Sequence, residues 1–159
     1  MRNRTRWAIV ILVVAGVAGE CKAAVAAPVL PAPLQEAVTL LGWWGDDVPR
    51  IELVPTRPRD ASPNAAAWVR TTVDGVVPVI YVARDSHVYH DAVASDYQAL
   101  VQLAGMLTHE RWHIQHGPDE AGAYDPQLSM MEYLHADSLH LTEVRKALRR
   151  VQAGKPQGR

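Results

Sequence analysis

In the segment Thr108-His109-Glu110-Arg111-Trp112-His113, two imidazoles stand four residues apart with a carboxylate beside the first. On a helix, positions i and i+4 share one face, so His109 and His113 can reach a single ion. Glu110 is turned about 100° from His109, which sets its carboxylate beside the ion and not on it. From there it can take a proton from water held by the metal. Neutral imidazoles, one further carboxylate and a water make an open tetrahedral site, so Zn2+ is the expected ion. The pair of histidines does not by itself supply the third protein ligand.

The helix that must carry these residues is the best defined in the chain. Ser95 followed by Gln98 has the spacing of a capping box and predicts a helix from Asp96 to about His116, closed by Gly117-Pro118. Leu100, Leu103, Ala104, Leu107 and Ile114 fall on one side, suited to a core. His109, His113 and Met106 fall on another, suited to a cleft.

The chain resembles a zincin metallopeptidase on the strength of His109-Glu110-x-x-His113 followed by Glu120-Ala-Gly-Ala-Tyr124. In the gluzincin branch a Glu on the next helix completes the zinc site, commonly with a small residue three positions on, as Glu120 and Ala123 stand here. The spacing between His113 and Glu120 is shorter than in the best-known gluzincins, and Gly117 is one residue late for the metzincin pattern. The resemblance covers about twenty residues. It implies His109, His113 and Glu120 as ligands of Zn2+ and Glu110 as general base. His116 and Asp119 remain alternative third ligands. His116 lies about 10.5 Å along an unbroken helix from His109 and could join only if the helix unwinds before Gly117. Asp119 is placed to N-cap the next helix. Tyr124, four residues after Glu120, shares its helical face; it is a candidate oxyanion donor or a core tyrosine packed between the two helices.

Around that helix the sequence predicts a small zincin-like α+β domain: a short antiparallel sheet, the active-site helix, and two further C-terminal helices. Leu34, Ala37, Val38 and Leu41 have helical spacing, stopped by Gly42. Ile51, Leu53 and Val54 suggest a strand. Trp68 to Val73 and Val76 to Ala83 flank Asp74-Gly75, a hairpin-turn dipeptide, and Pro78 suggests a sheet edge. By the same resemblance, Val79 to Tyr81 would be the edge along which a substrate pairs. His87 and His90 read as a solvated loop, and His135 and His140 as solvent-facing. Trp43-Trp44 is expected to close one end of the core. Asp119 to Leu134, with a kink at Pro126, and Ser138 to Val151 are the last two helices, the second with a solvated basic face.

The chain has 159 residues, 48% of them hydrophobic and 21% charged, and a formal net charge of −1. That balance excludes a disordered polypeptide and offers no general attraction to nucleic acid. A single cysteine, Cys21, excludes disulfide frameworks and Cys-rich zinc folds. Arg2, Arg4 and Arg6 precede an apolar run from Ala8 to Ala18, then small residues Ala23 to Ala27. The run is about 16 Å long as a helix, too short to span a bilayer, so residues 1–26 are expected to be a secretory signal peptide. Acylation at Cys21, or retention of the segment as an anchor, are the alternatives; otherwise no membrane contact is expected. Residues 27–33 read as a Pro-rich linker, 34–153 as the domain and 154–159 as a tail.

The function expected from these residues is an exported zinc peptidase acting on peptide or protein substrates. The alternatives are a non-catalytic zinc-binding or interaction module, and a zinc hydrolase of another amide or ester.

Overall fold

The computed structural model describes residues 29–59, 61 and 65–154, so the expected signal peptide and most of the tail lie outside the described residues. The fold is α+β, as the sequence predicts. Helix α1 (Ala32–Leu40) buries Leu34, Ala37 and Val38 and starts earlier than expected. Pro33, assigned by sequence to the linker, is buried in its first turn, where a missing N–H costs nothing.

A three-stranded sheet runs β1 (Arg50–Val54), β5 (Val79–Ala83), β2 (Ala67–Trp68), with a separate two-stranded hairpin of β3 (Thr71–Thr72) and β4 (Gly75–Val76). The expected antiparallel pairing holds for β2–β5 and β3–β4, but β1 and β5 are parallel from Arg50↔Val79 to Val54↔Ala83. Residues 55–78 supply the long return that a parallel pair needs. Consequently Val79 to Tyr81 lies in the central strand and not at an edge. The near-continuous burial of Val79, Ile80, Val82 and Ala83 fits that interior place. The edge beside the helices is β2. The hairpin turn is also one residue earlier than expected: Thr72 pairs with Gly75 across Val73-Asp74.

Helix α2 (His87–Val93) occupies the stretch read as a loop. Ser86 caps it by accepting the Tyr89 N–H at 3.3 Å, and Tyr89 and Ala92 anchor it while His87 and His90 face solvent. Helix α3 (Tyr97–His116) is capped by Asp96, whose Oδ1 accepts the N–H groups of Gln98 (2.8 Å) and Ala99 (3.3 Å). Ser95, expected in that role, has φ +63° and cannot present its hydroxyl as a cap. Helix α4 (Glu120–Tyr133) runs through Pro126, and helix α5 (Ser138–Gly154) packs on it. Asp119 occupies the N-cap position of α4, but its side chain makes no cap hydrogen bond.

The core lies between the sheet and α1, α2 and α3, with Leu34, Ile80, Val82, Leu103 and Leu107 fully enclosed and Met131 joining from α4. Each such side chain contributes about 1.5–3 kcal/mol by leaving water, so α3 is held along its length by its Leu100, Leu103, Ala104 and Leu107 side. Trp43 packs at the margin of this core under the Arg111 guanidinium, 4.6 Å from its ring centre. Trp44 is mostly exposed, so only one tryptophan of the pair closes the core. Among the described residues no helix is long and apolar enough to cross a membrane.

Candidate metal centre

His109 and His113 project from the fourth and fifth turns of α3 into a cleft of about 970 Å³, and both are buried. Helix α4 returns across them after a tight turn. Gly117 permits it: with φ +85° it ends α3, and its N–H still bonds the His113 carbonyl at 2.9 Å. Glu120, the first residue of α4, is thereby carried over the two imidazoles. Gly122 allows the close approach, because a Cβ there would stand 2.5 Å from the Trp112 ring.

Four atoms converge. His109 Nε2 lies 3.1 Å from His113 Nε2, and the Glu120 carboxylate places Oε2 3.3 Å from the first and Oε1 3.5 Å from the second. A four-coordinate ion with bonds of about 2.0–2.1 Å spaces its tetrahedral ligands about 3.4 Å apart. His109, His113 and Glu120 can therefore hold one metal ion, and among the described residues they form the group close enough to do so.

The outer nitrogens fix which lone pairs point inward. His113 Nδ1–H donates to the Gly117 carbonyl at 2.8 Å, since a carbonyl can only accept. His109 Nδ1–H donates to Gln127 Oε1 at 3.0 Å, the amide being turned so that its Nε2 faces Met131 Sδ at 4.0 Å. With both Nδ1 atoms protonated, both Nε2 atoms are acceptors, and they face a carboxylate. Four electron-rich atoms at these separations repel one another unless a cation or a proton lies among them. The donor set thus fits a divalent metal.

The electrostatics agree. When a proton takes the place of the ion, hydrogen bonds donated by the protonated His109 and His113 rings hold the Glu120 carboxyl well below the usual carboxylate range, against the opposing effect of its partial burial. Glu110 also lines the cleft. Burial pushes its pKa up from 4.5, against the pull of the two imidazoles and of a hydrogen bond from the Val69 backbone. That last contact ties it to the residue following β2. Tyr124 stands with its ring edge against His109, centroids 4.7 Å apart. Burial first, then Glu120 and Glu110, raise its pKa above 10, so it remains an O–H donor.

His116 is turned away. It is exposed, stacked on Trp112 with centroids 4.5 Å apart, and bonded through Nδ1 to the Trp112 carbonyl. Neither it nor Asp119 belongs to the converging group. Two contributors escape a sequence reading: Gln127 and the carbonyl of Gly117. Gln127 is seven residues after Glu120 and so on the same helical face, which is the one signal the sequence carries for it.

The cleft is walled by β2 and the residues after it, by the β3–β4 hairpin through Thr71, Thr72 and Val76, and by α4 and α5 through Tyr124 and Val151. Met106 and the three histidine-and-glutamate positions of α3 form its floor. Comparison with protein-family models, curated proteins and solved structures returns no match.

Proposed function

We propose that the chain is an exported zinc-dependent peptidase, with His109, His113 and Glu120 as the ligands of Zn2+. The observation that carries this reading is the convergence of those three side chains in a cleft that Glu110 also lines. Zinc bound there would supply Lewis acidity, polarising a carbonyl and lowering the pKa of water to about 7. A site for holding metal alone has no need of Glu110. A hydrolytic site does: a half-buried carboxylate with a raised pKa can accept a proton from water and return it to a leaving amine. Tyr124 would donate its hydroxyl to the negative charge that develops on the carbonyl oxygen.

The edge strand β2 supports a peptide as the substrate. Its Ala67 and Trp68 pair with β5 on one side, and residues 65–72 line the cleft on the other. An extended chain laid along that side would pass over Glu110 and the metal. Export rests on the basic start, the short apolar run and the small residues that follow.

The experiment is Glu110→Gln in the purified protein, assayed for zinc content and for cleavage of a mixed peptide library. The variant keeps size and hydrogen bonding but loses the base. It should retain zinc and lose about two to four orders of magnitude in turnover. Tyr124→Phe should also retain zinc, with turnover lowered by up to about a hundredfold. Cleavage by Glu110→Gln at the wild-type rate would overturn the mechanism. A zinc-loaded wild type that cleaves no peptide would overturn the activity while leaving the metal centre standing.

A further inference from the structure

Gln127 has no part in the chemistry above, yet it is buried, 7% exposed, and spends its carbonyl oxygen on one group, His109 Nδ1 at 3.0 Å. The other end of the amide gains little, since its best contact is the Met131 sulfur at 4.0 Å, and a thioether is a weak acceptor. Burying a primary amide costs free energy unless its hydrogen bonds are made. An apolar residue would fill this position between α3 and α4 at lower cost, so packing alone does not explain a glutamine. What the amide provides is an acceptor fixed opposite one imidazole nitrogen.

We propose that Gln127 is a positioning residue for the metal centre: it holds His109 in the Nδ1–H tautomer and so sets the affinity of the site. A histidine ring has two nitrogens, and unrestrained it can turn either to an ion and place its proton on either. The bond to Gln127 removes that freedom and leaves the Nε2 lone pair directed at Glu120 and His113. His113 is restrained separately by the Gly117 carbonyl, so the two ligands are oriented by different elements: one by the turn after α3, the other by the second half of α4. The glutamine is neutral, whereas a carboxylate at the same place would polarise the imidazole more strongly and raise its basicity toward metal. The centre therefore holds its ion less tightly than this geometry could.

This inference rests on the metal-binding reading, and the test separates the two. Full-length wild type, Gln127→Met and Gln127→Glu are titrated with zinc against a chromophoric chelator, and the thermal unfolding of each metal-free form is recorded. Methionine keeps the length and volume of the side chain but offers the imidazole only a weak thioether acceptor. It should weaken zinc binding by about 10- to 100-fold. Glutamate restores a stronger acceptor and should bind zinc at least as tightly as wild type. A purely structural glutamine would not give that order, because a buried carboxylate disturbs packing at least as much as a thioether does. Equal affinity in Gln127→Met and wild type overturns the inference, and so does equal weakening in both variants. A Gln127→Met chain that does not fold leaves the Gln127→Glu comparison to decide, weaker binding than wild type counting against the inference. Absence of zinc binding by the wild type itself would instead overturn the metal centre.

Discussion

Each imidazole of the centre is held by one nitrogen and offers the other, and this makes the ligand assignment sharp at the level of single atoms. His109 Nε2, His113 Nε2 and the Glu120 oxygens lie within reach of one ion, whereas His116 uses its Nδ1 on the Trp112 carbonyl and its ring face on the Trp112 indole. Replacing Glu120 by Ala should therefore abolish most zinc binding, while His116→Ala should leave zinc stoichiometry unchanged. Metal analysis of the two purified variants decides it, and the reverse pattern would make His116 the ligand. The histidine pair and Glu110 were legible in the sequence because helical spacing alone puts i and i+4 together. Glu120 was legible only through resemblance, and Gln127 only as a residue sharing its helical face, because its role depends on how closely α4 approaches α3. That distance is a tertiary fact with no local pattern.

At the scale of elements, the approach of α4 to α3 is set by a glycine. A Cβ at Gly122 would meet the Trp112 ring at 2.5 and 2.6 Å and Asp119 Oδ2 at 2.8 Å. The indole is rigid and itself packed against the His113 and His116 rings, so the first turn of α4 must move outward to make room. Gly122→Ala should then cost about 1–3 kcal/mol as overpacking, despite the better helix propensity of alanine, and weaken zinc binding because Glu120 moves with the turn. Gly154→Ala at the end of α5, where nothing lies within 4 Å, should do neither. Chemical unfolding and zinc titration of both variants provide the comparison, and a Gly122→Ala protein as stable as wild type with full affinity would remove this account.

The same scale shows where sequence reading runs out. Long periodic elements were placed well: α1, α3 and α4 fall close to their expected limits, since burial of a 3.6-residue stripe leaves a strong trace. The short ones were not. Helix α2 has only seven residues, too few for periodicity, and depends on the Ser86 cap. The adjacent Ser95 and Asp96 both carry capping side chains, and only backbone conformation selects Asp96. The parallel register of β1 on β5 pairs segments separated by residues 55–78, and nothing local to either strand encodes the partner. Position in the sheet matters most for the proposed function, because it places β2, and not Val79–Tyr81, at the edge where a peptide could pair.

For the whole molecule, a centre that can hold a divalent cation is one where protons would compete with it, so metal-free and zinc-loaded protein should respond to pH in opposite directions. Burial opposes protonation of His113, but Glu120, the Gly117 carbonyl and Glu110 outweigh it and raise its pKa above 6.5. A group whose pKa is raised on folding contributes stability that is fully present below its unfolded pKa and lost as pH rises through the folded value. Burial likewise raises Glu110 above 4.5, so ionising it costs the folded state as pH rises. Glu120 is depressed, and its contribution is present above about pH 4.5 and lost only in stronger acid. Together these give a metal-free protein that is most stable in mild acid and loses stability from about pH 6.5 upward. Zinc reverses the sign, because it binds the deprotonated ligands and gains affinity as protons leave. At a free zinc concentration of 100 Kd the gain is about 2.7 kcal/mol, which for a domain of this size raises Tm by on the order of 10 °C. Thermal unfolding across about pH 5.5 to 8, once with a chelator and once with zinc, should therefore give two curves that diverge as pH rises. Parallel curves would mean that the converging side chains neither share a proton nor hold an ion.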